Sequence, residues 1–148
     1  MITTCEASEP QAASHPKTAA PGKRIMVVED DPGLLALYRI LLQTRGYRVV
    51  TAEDGQAALT AYEREWSDID LIIAEVCLPK IGGAEMLERM KLNGQLPPVL
   101  VCSGAVEYDV EREMRKVGAQ WFLPKPLRHR ELLGEVERLL DAASAGAS

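Results

Sequence analysis

The chain has 148 residues and a formal net charge of -5, with 22 Asp and Glu against 17 Lys and Arg. Hydrophobic residues make up 47% and charged residues 26%, so an ordinary core can form without disulfides or a structural metal. The length suits one domain, which on this reading leaves no room for a receptor, a transporter or a separate DNA-binding domain, and the acidic balance argues against nucleic-acid binding spread over the surface.

Residues 1–22 are rich in Ala, Ser, Thr and Pro, with Pro10, Pro16 and Pro21, and hold one large aliphatic residue, Ile2. Such a segment cannot bury enough apolar area to offset its ordering entropy, and a disordered tail is expected. It has neither the basic start nor the apolar run of a secretory signal, and no stretch of the chain reaches the roughly 18 apolar residues of a membrane span. Cys5, Cys77 and Cys102 are odd in number, two of them in apolar surroundings, which suits reduced thiols and a cytoplasmic protein. His15 and His129 are isolated and form no zinc pattern.

Arg24 to Glu29 is a short apolar run ending in acids, the pattern of a strand buried on both faces. Asp31 then caps a helix with Pro32 at its first position, Leu34, Leu35, Leu37, Tyr38, Leu41 and Leu42 follow at helical spacing, and Gly46 stops it. Tyr47 to Ala52 reads as a second strand, and Asp54 caps a second helix through Ala58, Ala61 and Tyr62. Asp70 to Glu75 is a third strand, with a helix from Ala84 to Leu92 after it; Pro98 to Cys102 is a fourth, with a helix carrying Val106, Val110, Met114 and Val117. Gln120 to Leu123 is a fifth strand, Pro124-Lys125-Pro126 follows, and Leu132, Leu133, Val136, Leu139 and Leu140 form the stripe of a last helix. The folded part is expected over 23–141, with 142–148 a frayed tail.

Five strict β–α alternations with short links specify an α/β fold, a parallel sheet covered by helices on both faces. In such sheets the ligand site lies beyond the carboxyl ends of the strands. Those ends hold Glu29-Asp30-Asp31, Glu75, Ser103 and Lys125. Acids this close repel unless a cation joins them, and hard oxygen ligands suit Mg²⁺, with the lysine and hydroxyl placed for phosphoryl oxygens. Ser103 is expected to start a helix opposite Lys125.

Together, Val27-Val28-Glu29-Asp30-Asp31-Pro32, Leu71-Ile72-Ile73, Leu78-Pro79, Ser103-Gly104, Gly118-Ala119 and Lys125-Pro126 resemble the receiver domains of two-component response regulators. The resemblance covers essentially all of 23–141. It implies a flavodoxin-like (βα)5 three-layer sandwich, its five parallel strands in the order 2-1-3-4-5. It implies Mg²⁺ held by Glu29, Asp30, the phosphoacceptor position 75 and the main-chain carbonyl of Cys77. Ser103 is similar to the hydroxyl that turns toward the phosphoryl group, Lys125 to the lysine that pairs with it, Phe122 to the switch aromatic and Pro126 to the cis-proline. The implied partners are a sensor histidine kinase or phosphotransferase and an output protein on the face of the fourth helix, fifth strand and fifth helix, without membrane or direct nucleic-acid contact. A homodimer is left open.

The sequence departs from the family at the phosphoacceptor, where Glu75 replaces Asp. Asp70 does not rescue it, being five residues upstream and roughly 16 Å along a strand. Glu75 reaches on the order of 1 Å farther than Asp, and in-line phosphoryl transfer tolerates little misplacement. A carboxylate there imitates a phosphoryl group in part, with one negative charge against about -1.5 to -2. The expectation is a stand-alone receiver that is not phosphorylated normally, binds Mg²⁺ weakly if at all, and is not an enzyme. A second reading has Glu75 as a minor or engineered change in a working receiver; a third, a small phosphoryl-handling enzyme, lacks a phosphate-cradling glycine loop. Arg128-His129-Arg130, at a helix start without the usual cap, reads either as solvated surface or as a docking patch, with Trp121 as an exposed aromatic candidate beside it.

Overall fold

The computed structural model describes residues 22–104 and 108–147; the expected tail, apart from Gly22, and Val106 lie outside them. Five strands, β1 (Arg24–Val28), β2 (Arg48–Ala52), β3 (Leu71–Ala74), β4 (Val99–Ser103) and β5 (Trp121–Pro124), form one parallel sheet in the order β2-β1-β3-β4-β5. The helices α1 (Pro32–Thr44), α2 (Gly55–Glu65), α3 (Gly83–Met90), α4 (Tyr108–Lys116) and α5 (His129–Ala147) alternate with them. This is the flavodoxin-like arrangement.

Strand alternation divides the core in two. Met26, Val28, Ile72, Ala74, Val99 and Val101 face α2, α3 and α4, where they meet Tyr62, Met86, Leu87, Met90 and Met114. Ile25, Val27, Leu71, Ile73, Leu100 and Cys102 face the opposite way, onto Leu35, Tyr38 and Leu42 of α1 and Leu132, Val136 and Leu139 of α5. Each of these fully buried Leu and Ile side chains contributes about 1.5–3 kcal/mol. Two buried faces explain why the strands read as continuous apolar runs instead of alternating ones.

The helix boundaries follow local chemistry. Asp31 Oδ1 accepts the N–H groups of Gly33 and Leu34 at 2.9 and 3.1 Å, with Pro32 at the first helical position of α1. Asp54 accepts the Ala57 N–H at 2.7 Å and opens α2 in the same way. α3 stops at Met90 and tightens into a 3₁₀ turn over Lys91–Asn93, so Leu92 leaves the helix and is exposed. α5 passes the expected boundary at 141 and runs to Ala147; the segment is rich in alanine, the strongest helix former, and needs no burial to continue. Ser103 closes β4 and does not open a helix.

Cys102 points into the α1–α5 core and is 1% exposed, and burial pushes its thiol up to about 12. Cys77 is exposed. Iodoacetamide at mildly alkaline pH should therefore modify the Cys77 peptide and spare Cys102 until denaturant is added, as read by peptide mass mapping. Equal labelling of both in the folded protein would contradict this packing.

Candidate functional site

The strands end nearly level. Val28 pairs with Ala74, and Ala74 with Val101. The next residues therefore leave the sheet at one edge: the Glu29 N–H donates to the Ala52 carbonyl at 3.1 Å and the Glu75 N–H to the Val28 carbonyl at 3.0 Å. Ser103 pairs with Pro124, and the Lys125 N–H donates to the Ser103 carbonyl at 3.0 Å. This backbone frame aims four side chains at one point. Asp70 lies at the opposite edge, where its carboxylate accepts the Arg24 N–H at 2.9 Å.

The Lys125 ammonium sits between two carboxylates, 2.6 Å from Glu29 Oε1 and 2.7 Å from Glu75 Oε1. The remaining oxygens are also engaged. Glu29 Oε2 accepts the Asp31 N–H at 3.1 Å. Glu75 Oε2 accepts the Ser103 hydroxyl at 2.8 Å and the N–H groups of Val76 and Cys77 at 2.9 and 3.3 Å. Glu29, Glu75 and Ser103 are buried, and Lys125 is mostly so.

One ammonium shared by two carboxylates separates their proton affinities. Burial dominates at Glu29 and holds its carboxyl above the usual range, against the opposing pull of Lys125 and the Asp31 N–H. Burial also pushes Glu75 up, but Lys125, Ser103 and the Cys77 N–H together outweigh it and hold Glu75 below the usual range. Burial lowers Lys125, yet its two carboxylate partners raise it further, so it stays charged. Glu75 is thus the fixed anion of the group.

Mg²⁺ requires oxygen ligands at about 2.0–2.1 Å in near-octahedral array. All four oxygens of Glu29 and Glu75 are committed to donors of the chain itself, and an ammonium lies between them. Asp30 is exposed at the rim. Among the described residues no three His, Cys, Asp or Glu side chains are grouped to hold a metal. The residues as arranged do not fit Mg²⁺. The cation that joins the acids is Lys125.

The Lys125–Pro126 peptide is cis. Phe122 is half-buried on the α2–α4 face, with the Arg115 guanidinium 4.5 Å above its ring. Arg115 is itself held by Glu111 at 2.6 Å and the Gln120 carbonyl at 3.2 Å. Trp121 is not the exposed aromatic expected: alternation turns it to the α1–α5 face, where it is half-buried. Arg128, His129 and Arg130 are exposed, and Glu131 reaches back to the Arg128 N–H at 3.5 Å as half of a capping box. Sequence reasoning missed Arg115, whose signal was Glu111 one helical turn before it. It also missed Lys80, which takes a left-handed φ of 71° in the loop after β3 and reaches Asp54 at 3.4 Å; nothing in the sequence marks that pairing.

The profile of the family described as response regulator receiver domain matches residues 25–137. The transcriptional regulatory protein CpxR of Escherichia coli is 32% identical over 117 residues, 79% of this chain and 49% of that protein. The alkaline phosphatase synthesis transcriptional regulatory protein PhoP of Bacillus subtilis is 31% identical over 125 residues, 84% of this chain and 51% of that protein. The chain thus spans about half the length of these curated relatives. Among solved structures, a CheY-like receiver domain protein from Methanospirillum hungatei superposes with a TM-score of 0.80 at 26% identity, covering 84% of this chain and 98% of that one. The chemotaxis protein CheY4 of Vibrio cholerae gives 0.73 at 28% identity, covering 81% and 99%.

Proposed function

The chain belongs to the response regulator receiver domain family of two-component signalling, and from that premise we propose that it is a receiver held by Glu75 in one signalling state, without a phosphorylation cycle. The observation that carries this reading is the Glu75 carboxylate, buried and bonded to both Ser103 and Lys125. In the family's chemistry these two side chains answer to the phosphoryl group, and here a carboxylate has both. Its single charge makes it a partial substitute for a phosphoryl group.

Receivers act by contact with histidine kinases and output proteins. We place the output contact of this chain on the face of α4, β5 and α5. Support comes from Phe122, which lies partly buried in that region under an Arg115 that Glu111 and the Gln120 carbonyl fix in place. No helix among the described residues is long and apolar enough to cross a membrane. The protein on this reading is a binding module and not an enzyme.

The test is intact mass after incubation with Mg²⁺ and acetyl phosphate. The protein itself should gain nothing, whereas Glu75→Asp, whose shorter arm withdraws from Ser103 and Lys125, should gain one phosphoryl group. Prompt phosphorylation of the unaltered protein would return Glu75 to the status of a minor change in a working receiver.

A further inference from the structure

We propose that the Lys125 ammonium is the resident cation of this pocket, standing where a divalent ion would otherwise join the acids, so that the protein does not take up Mg²⁺. The inference rests on the reading of Glu75 as a carboxylate in the phosphoryl group's place, bonded to Ser103 and Lys125, and extends it to the metal.

The first support is the accounting of donors. Four carboxylate oxygens face the pocket, and each already accepts at least one hydrogen bond from within the chain. A divalent ion bridging Glu29 and Glu75 has two routes. It can sit beside an ammonium, where like charges repel, or it can evict that ammonium from two charge-assisted contacts of 2.6 and 2.7 Å. Eviction is obstructed by the frame, because the Lys125 backbone is tied to the Ser103 carbonyl and its side chain is only 17% exposed.

The second support is charge. Two buried carboxylates and one ammonium held between them leave a single net negative charge. A divalent ion added to that group meets far less attraction than it would meet at two unpaired carboxylates. Asp30, exposed at the rim, adds a charge in water, where screening is strong.

The same argument makes a positive prediction. Removing the ammonium leaves two buried acids joined by nothing, an arrangement that a divalent ion can bridge. Lys125→Ala should therefore gain Mg²⁺ binding that the unaltered protein lacks.

The experiment is a titration with millimolar MgCl₂ at constant ionic strength, read by calorimetry and by melting temperature, with no phosphodonor present. The unaltered protein should show no saturable heat and no shift beyond the NaCl control. Lys125→Ala should show a saturable heat and a rising melting temperature. Saturable Mg²⁺ binding by the unaltered protein overturns the inference, as does a folded Lys125→Ala that ignores Mg²⁺. A Lys125→Ala chain that folds only when Mg²⁺ is added supports it. If that variant folds under neither condition, the titration of the unaltered protein decides alone. The acetyl phosphate experiment addresses the parent reading separately, since the protein can fail to bind Mg²⁺ whether or not Glu75 is a phosphoryl substitute.

Discussion

Replacing Lys125 with methionine is expected to destabilise the fold by about 3 kcal/mol at neutral pH, the lower end of the range for a buried pair stripped of one partner. Methionine keeps much of the length and apolar surface of the stem, so the loss isolates the ammonium. Glu29 and Glu75 side chains are 3% and 8% exposed, and without Lys125 each faces another buried anion. The 17% exposure of Lys125 lets some water reach them, which is why the lower end applies. The pH dependence has a definite sign. Burial is the largest cause at both carboxyls and Lys125 opposes it, so loss of the ammonium is expected to raise both, with stability then full at acid pH and lost as pH rises through the raised folded values. In the unaltered protein Glu75 is held low, so its contribution is present above 4.5 and lost as pH falls through the lowered value. The two stabilities should therefore converge on acidification. Urea denaturation at neutral pH and near pH 4.5 checks this, with Glu29→Gln and Glu75→Gln added to Lys125→Met to recover most of the loss. A gap that stays the same at both pH values would mean that the ammonium acts by packing alone.

The ring of residues around that pocket was legible because strands report their own ends. β1 and β3 each pass from apolar residues to an acid in one step, and parallel pairing then sets Glu29 and Glu75 side by side. Asp31 and Asp54 were equally legible as caps, since a short acidic side chain before a helix has a local job. What could not be read was which cation the acids would use. An acid cluster with a neighbouring lysine satisfies its charge either by metal or by ammonium, and the choice depends on whether the arms of Glu29, Glu75 and Lys125 close on one another, a matter of side-chain reach and torsion. Trp121 departs from the exposed docking patch for a different reason: Phe122 packs on the α2–α4 face, and strand alternation turns its neighbour to the α1–α5 face, where packing half-buries it. The apolar stripe of α5 ends before its last turns, so the sequence marks a boundary at 141 that alanine propensity carries on to Ala147.

Gly55→Ala is expected to cost about 3 kcal/mol, the upper end of the range for overpacking a well-filled core. The argument runs through the loop that carries Glu75. A Cβ at Gly55 would lie 2.3 Å from the Ile81 carbonyl oxygen and 2.9 Å from Ile81 Cβ, and the first of these is backbone, which cannot swing away. Ile81 is itself buried, and its N–H is engaged by the Pro79 carbonyl at 2.8 Å, so the loop has little slack. Something must move: the start of α2, with its Asp54 cap and the Lys80 ion pair, or the segment between Glu75 and α3. Gly83→Ala presses on the same segment from its far end, with a Cβ 2.8 Å from the Glu75 carbonyl oxygen and 3.1 Å from that of Val76. Gly134→Ala supplies the opposite sign. It lies inside α5, exposed, with nothing within 4 Å of an added Cβ, so alanine there should stabilise by about 0.5–1 kcal/mol through helix propensity. Denaturation midpoints of the three variants test the packing directly. A neutral Gly55→Ala would mean that α2 and the Glu75 loop are not in the close contact on which the rigidity of the pocket depends.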